Sequence, residues 1–131
     1  MFVDASAIVA ILAREEDAGP LAARLGQARR AFTSPVAVYE TVLGLARVTS
    51  IPLHESRMLV GEFLDEAGIE IIQITDSIAD MAIEAFDRFG KGRHKAALNL
   101  GDCFAYACAV ALGAPLLFKG EDFPQTDITV A

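Results

Sequence analysis

The feature that most restricts this chain is a carboxylate set inside an apolar run. Phe2 and Val3 lead into Asp4, Ala5 and Ser6, and Ile8 to Leu12 follow at once. Phe and Val favour a pleated strand, and the apolar residues on either side leave Asp4 no ordinary place on a solvated surface. The stretch predicts a short buried strand whose carboxyl end presents an acid, with Ser6 near the start of a helix. In open α/β sheets, ligands bind in the crevice outside the carboxyl ends of the strands. A plainer role for Asp4 is to cap the helix that follows. What separates the two is whether other residues converge on it.

Further along, strand and helix signals alternate. A helix is predicted over Ala5 to Ala13, and another from Ala18 with Pro20 in its first turn. Ala31 to Thr33 is a short strand candidate. Ser34 and Pro35 form an N-cap pair opening a helix over Val36 to Thr49. Leu53 to Ala67 reads as an amphipathic helix with Met58, Leu59, Phe63 and Leu64 on its apolar side, stopped by Gly68. Ile69 to Ile74 is a strand, Ser77 to Phe89 a helix capped by Thr75 and Asp76, and Cys103 to Leu112 a further helix. Leu116 to Phe118 is a strand, and Ile128 to Val130 a final edge strand. Short apolar strands alternating with helices predict a parallel sheet covered on both faces. With 131 residues, no repeat and no low-complexity linker, the chain is expected to be one domain spanning 1–131.

Composition removes several function classes. The longest apolar stretch, Phe104 to Leu117, contains Gly113 and Pro115 and is shorter than the roughly 20 residues of a membrane span. Asp4 stands where a signal peptide would carry positive charge, so a cytoplasmic protein is expected. A net charge of −7 opposes nucleic-acid binding by the whole surface. Cys103 and Cys108 fall on different faces of one helix and are expected to be small core residues, neither disulfide partners nor zinc ligands.

Most of the 18 acids belong on the surface. Four stand in apolar surroundings or at element ends: Asp4, Glu40, Asp102 and Asp122. Each has an ordinary explanation. Asp102 fits a helix N-cap, Glu40 an exposed helix face, and Asp122 a turn beside Glu121. Together they fit the carboxyl edge of a parallel sheet. Two unit charges about 4 Å apart repel by on the order of 4 kcal/mol at an effective dielectric near 20, so such a cluster requires protons or a divalent cation. All-oxygen ligands select Mg²⁺ or Mn²⁺ over zinc. A site of this kind suits phosphodiester hydrolysis by a metal-activated water, with no side-chain nucleophile. Ser6 and Lys119 fit roles in holding water or phosphate, and equally those of a cap and a surface charge.

These residues resemble a known family. Val3 to Ala7, the Glu40 helix, Lys91 to His94 with Asn99 to Ala107, and Leu116 to Phe123 with Thr126 to Ile128 resemble the PIN-domain ribonucleases, and specifically the VapC-type toxins of bacterial toxin–antitoxin pairs. The resemblance spans the whole chain. It implies a three-layer α/β/α sandwich with a parallel sheet of four to five strands. It also implies Asp4, Glu40 and Asp102 as metal ligands, and Ser6 as the small hydroxyl assisting metal or water. The fourth acid maps to Asp122, with Glu121 and Asp127 as neighbours that could replace it. The implied activity is Mg²⁺- or Mn²⁺-dependent endoribonuclease action on structured RNA, either tRNA or ribosomal RNA. The implied partners are a second copy of the chain and a VapB-type antitoxin that blocks the site.

The basic loop gains a role in this light. Arg88, Lys91, Arg93, His94 and Lys95 fall within eight residues and are expected to contact RNA phosphates, with Lys119 a further candidate. Other assignments compete. A catalytically silent PIN-like interaction module would have lost an acid, yet all four positions are filled. A haloacid-dehalogenase-type phosphatase wants a second Asp where Ser6 stands, and a receiver-type phosphotransfer domain wants a phosphoacceptor Asp that is not found.

Overall fold

Two consecutive residues, Phe2 and Val3, form one of the two inner strands of the sheet, and their side chains leave it on opposite faces. The structure, a computed structural model, describes residues 1–131. In chain order the elements are β1 (Phe2–Val3), α1 (Ala5–Leu12), α2 (Ala18–Gly26), β2 (Ala31–Thr33), α3 (Pro35–Thr49) and α4 (Leu53–Ala67). They are followed by β3 (Ile69–Ile71), α5 (Asp76–Phe89), α6 (Leu100–Leu112) and β4 (Leu116–Leu117). The strands form one parallel sheet in the order β3-β2-β1-β4, with Phe2 opposite Phe32 on one side and Leu116 on the other.

The core lies in two layers, as alternation along the strands requires. Phe2 and Leu116 pack with Ala82, Phe89, Ala105 and Cys108 from α5 and α6. Val3 and Leu117 pack with Ile8, Leu21, Leu45, Val60 and Leu64 from α1 to α4. The result is the three-layer α/β/α sandwich expected, with four strands. Both cysteines are free and buried, and burial pushes each thiol up to about 11, with Asp102 adding to the effect at Cys103. No helix is long and apolar enough to cross a membrane.

Several boundaries follow their local chemistry. Ser34 caps α3 by accepting from the Ala37 amide at 3.1 Å, with Pro35 next, and Gly68 closes α4 in the left-handed conformation (φ +65°).

Elsewhere the structure corrects the sequence expectation. The strand expected to Ile74 ends at Ile71, although the Ile72 amide still donates to Thr33 at 2.9 Å. Its neighbour β2 is only three residues long and has no more backbone to pair. The edge strand expected at Ile128 to Val130 is a single bridge from Val130 to Leu116. The buried stripe of α4 is Ser56, Val60 and Leu64, leaving Met58 and Leu59 exposed and Phe63 half-buried. Ser56 is drawn inward because its hydroxyl donates to the Val42 carbonyl at 2.7 Å.

Phe2→Ala, at a fully buried position, is expected to reduce unfolding free energy by about 3–5 kcal/mol. Met58→Ala, 63 % exposed, is expected to change it by no more than about 0.5 kcal/mol. Urea denaturation of the two variants checks this.

Candidate metal centre at the carboxyl edge of the sheet

Because β1, β2 and β4 run parallel, the chain leaves all three at the same edge, and there Asp4 follows β1 directly. The residue is 5 % exposed. Asp4 is the N-cap of α1: one oxygen accepts from the Ser6 amide at 3.1 Å and from the Ser6 hydroxyl at 2.5 Å. The Ser6 oxygen in turn accepts from the Lys119 amide at 3.0 Å, which ties the exit of β4 to this corner. Burial raises the Asp4 pKa, and the Ser6 donors only oppose it.

Asp102 lies in the first turn of α6, which begins at Leu100, three residues earlier than expected. Asn99 is the N-cap, accepting from the Asp102 amide at 2.9 Å, while the Asp102 carboxylate accepts from the Asn99 amide at 3.1 Å. This capping box occupies one side of Asp102. Burial pushes its carboxyl up to about 6; the Asn99 hydrogen bond opposes this, and the charges of Asp4 and Asp122 add to it. Glu40 reaches the same place from α3, its carboxylate lying against Gly101 of α6. Burial, then Asp4, then Asp102 push it up to about 7, and nothing pulls it down.

Asp4, Glu40 and Asp102 therefore share one field, with Asp122 at its rim. Every ion pair in the structure engages a different acid: Glu70, Asp127, Asp87, Glu15 or Asp17. The four carboxylates have no cationic partner, and no three of them close into a preformed metal cage. An all-oxygen set that repels itself, buried at its centre and opposed by no Lys or Arg, fits a hard divalent cation such as Mg²⁺ or Mn²⁺.

Among the candidates for the fourth acid, Asp127 is engaged elsewhere. It accepts from Tyr106 at 2.5 Å and pairs with Arg88 at 2.9 Å, which holds its carboxyl below the usual range. Asp122 is exposed, and its charge bears on Asp102; Glu121 beside it is exposed as well.

None of the basic residues pairs with Asp4, Glu40, Asp102 or Asp122. The Lys119 ammonium pairs with Glu15 and approaches Asp17 at 3.7 Å, so this residue touches the site through its backbone amide. Arg93 pairs with Asp87 at 2.8 Å and lies over the Phe86 ring. His94 uses Nδ1 to accept from the Ala96 amide at 3.0 Å and packs edge-on against Phe89, shaping the loop from within. Lys91 and Lys95 are exposed.

Sequence reasoning passed over Gly101, whose lack of a side chain makes room for Glu40. The available signal was a glycine next to Asp102 in what proved to be a helical turn.

The sequence matches the PIN domain family over residues 1–128. It is 40 % identical over 132 residues to ribonuclease VapC30 of Mycobacterium tuberculosis, covering all of this chain and 98 % of that protein. The chain belongs to the VapC branch of the PIN-domain family. A VapC ribonuclease of Rhizobium meliloti is also 40 % identical, across 97 % of this chain and 98 % of its own. The fold is similar to the crystal structure of M. tuberculosis VapC20, described as a sarcin–ricin-loop-cleaving toxin, with a TM-score of 0.77, 17 % identity and coverage of 99 % and 97 % of the two chains.

In this VapC-family chain Glu40 and Asp102 hold their protons more tightly folded than unfolded, so ionising them in place weakens the fold. Their contribution to stability is complete below their ordinary values of 4.5 and 3.8 and is lost as pH rises through about 7 for Glu40 and about 6 for Asp102. Thermal unfolding in a chelator should give a lower Tm at about pH 8 than at about pH 5.5, with Mg²⁺ narrowing the gap. Glu40→Gln should flatten the trend; an unchanged trend in that variant would contradict the assignment.

Proposed function

We propose that this chain is a Mg²⁺- or Mn²⁺-dependent endoribonuclease, the toxin of a pair with a VapB-type antitoxin, which hydrolyses structured RNA of the tRNA or ribosomal class. The observation that carries this is the convergence of Asp4, Glu40 and Asp102 on one buried corner with no protein cation to neutralise them. The VapC ribonucleases that share about 40 % of its sequence, and the RNA-cleaving toxin that shares its fold, support the choice of substrate.

A divalent cation held by Asp4, Glu40 and Asp102, with Asp122 at the rim, would supply a water activated at neutral pH and positive charge beside the leaving oxygen. The protein's own part is to keep the carboxylates in place. Ser6 donates both its amide and its hydroxyl to one oxygen of Asp4, and its hydroxyl oxygen is itself held by the Lys119 amide. The capping box holds Asp102 on α6, and α3 delivers Glu40. Since Glu40 and Asp102 release protons at about 7 and about 6, metal uptake competes with protonation and weakens below those values.

RNA phosphates would meet the loop before α6. Lys91 and Lys95 are exposed there, and Arg93 would exchange Asp87 for a phosphate. Exposed apolar surface remains for partner chains. One groove of about 570 Å³ lies between α3 and α4, around Tyr39, Leu43 and Leu53, and another of about 390 Å³ lies between α5 and α6, around Ile83, Phe86 and Leu100. In this reading the antitoxin and a second copy of the chain divide them.

Asp4→Asn and Asp102→Asn are expected to abolish RNA cleavage while circular dichroism shows an intact fold. Asn at position 4 still accepts from Ser6 and removes a buried charge. Wild-type cleavage by Asp4→Asn would sink the proposal, as would activity that survives a chelator. Replacing Arg93 and Lys95 together with Ala should weaken RNA binding and reduce its salt slope by up to about two; an unchanged slope would take the loop off the RNA face.

A further inference from the structure

Gly101 lies in the first turn of α6 with ordinary helical backbone, and it is absent from the glycines with positive φ. The backbone there does not need glycine, and alanine forms helix better. What the position lacks is room. A methyl group at Gly101 would overlap the carboxylate carbon and both oxygens of Glu40, the three nearest atoms it would meet. Those atoms belong to the end of a flexible side chain, so an added methyl displaces Glu40 and leaves the backbone undisturbed. Gly101 also stands directly before Asp102, whose charge acts on Glu40.

From this geometry we infer that Gly101 is a positioning residue: its missing side chain lets the Glu40 carboxylate lie flat on the first turn of α6, within reach of Asp102 and Asp4. The metal-binding consequence rests on the function proposed above; the placement of Glu40 does not. Serine, alanine or any larger residue at 101 would push Glu40 out of the set without touching Asp102, its capping box or Asp4. One glycine thereby links α3 and α6, neighbours at the acidic corner.

The test is Gly101→Ala, read three ways. In a crystal structure of the metal-free variant, the Glu40 carboxylate should move by about 1 Å or more, the scale at which misplacement matters in a reactive site; an unmoved carboxylate overturns the inference whether or not the protein binds metal. Without metal, the Tm should equal or exceed that of the wild type, since alanine is the better helix former. A lowered Tm with unchanged Mn²⁺ affinity would make Gly101 a packing residue only and overturn the inference.

The Mn²⁺ dissociation constant, from electron paramagnetic resonance, should rise at least about tenfold, or about 1.4 kcal/mol. Glu40→Asp withdraws the carboxylate from Gly101, so adding Gly101→Ala to it should weaken Mn²⁺ binding no further. A further tenfold loss in that background would show that Gly101 does not act through Glu40. If the wild type binds no Mn²⁺, the proposed function fails, and the position of the carboxylate alone decides the role of Gly101.

Discussion

A carboxylate with almost no access to water stands at the end of β1, and the carboxyl edge of the sheet is arranged around it. Burying an ionised carboxylate costs several kcal/mol unless compensated. Asp4 receives two hydrogen bonds from Ser6 and sits at the positive end of α1. Those contacts stabilise its charge without cancelling it, and the next acids in space, Glu40 and Asp102, add repulsion. The mutual repulsion is what raises the proton affinity of Glu40 and Asp102 beyond the effect of burial.

The same few residues hold the fold together. Phe2 and Val3 supply β1, anchor one core layer each, and are bordered on both sides by strands only two or three residues long. A parallel sheet this small leaves little choice in where the chain can emerge. With β1 between β2 and β4, the loops after β1 and β4 must meet, and the bond from the Lys119 amide to Ser6 records that meeting. Core packing and site geometry are not separable here, because Asp4 is the residue next to Val3.

The acidic corner differs from the rest of an acidic surface in combining burial with the absence of a cationic partner. Glu15, Asp17, Glu70, Asp87 and Asp127 each lie beside a Lys or Arg. Asp127 is further held by Tyr106, which together with Arg88 ties the C-terminal segment to α5 and α6. Neutralised acids of this kind are structural. Asp4, Glu40 and Asp102 combine the lack of such a partner with burial and with each other's charge, and Asp122 adds its charge to Asp102 from the exposed rim.

The order of strands and helices was legible in the sequence because it is written in local terms: apolar runs of strand length, Ser34 before Pro35, Gly68 after a helical pattern. So was the singularity of Asp4, since a carboxylate between two apolar runs has few places to go. Local terms failed where a distant partner decided the outcome. β3 stops at Ile71 because β2 is short, α4 turns Ser56 inward because the Val42 carbonyl is there, and α6 starts early because Asn99 and Asp102 cap each other. The separation of Asp122 from Asp127, the diversion of Lys119 to Glu15 and the space that Gly101 leaves for Glu40 are likewise contacts across long stretches of chain. Sequence alone determined the order of the elements and the singular position of Asp4 between two apolar runs. Only the tertiary structure decided which charges meet, because charge and steric overlap act over a few ångströms of space and not along the chain.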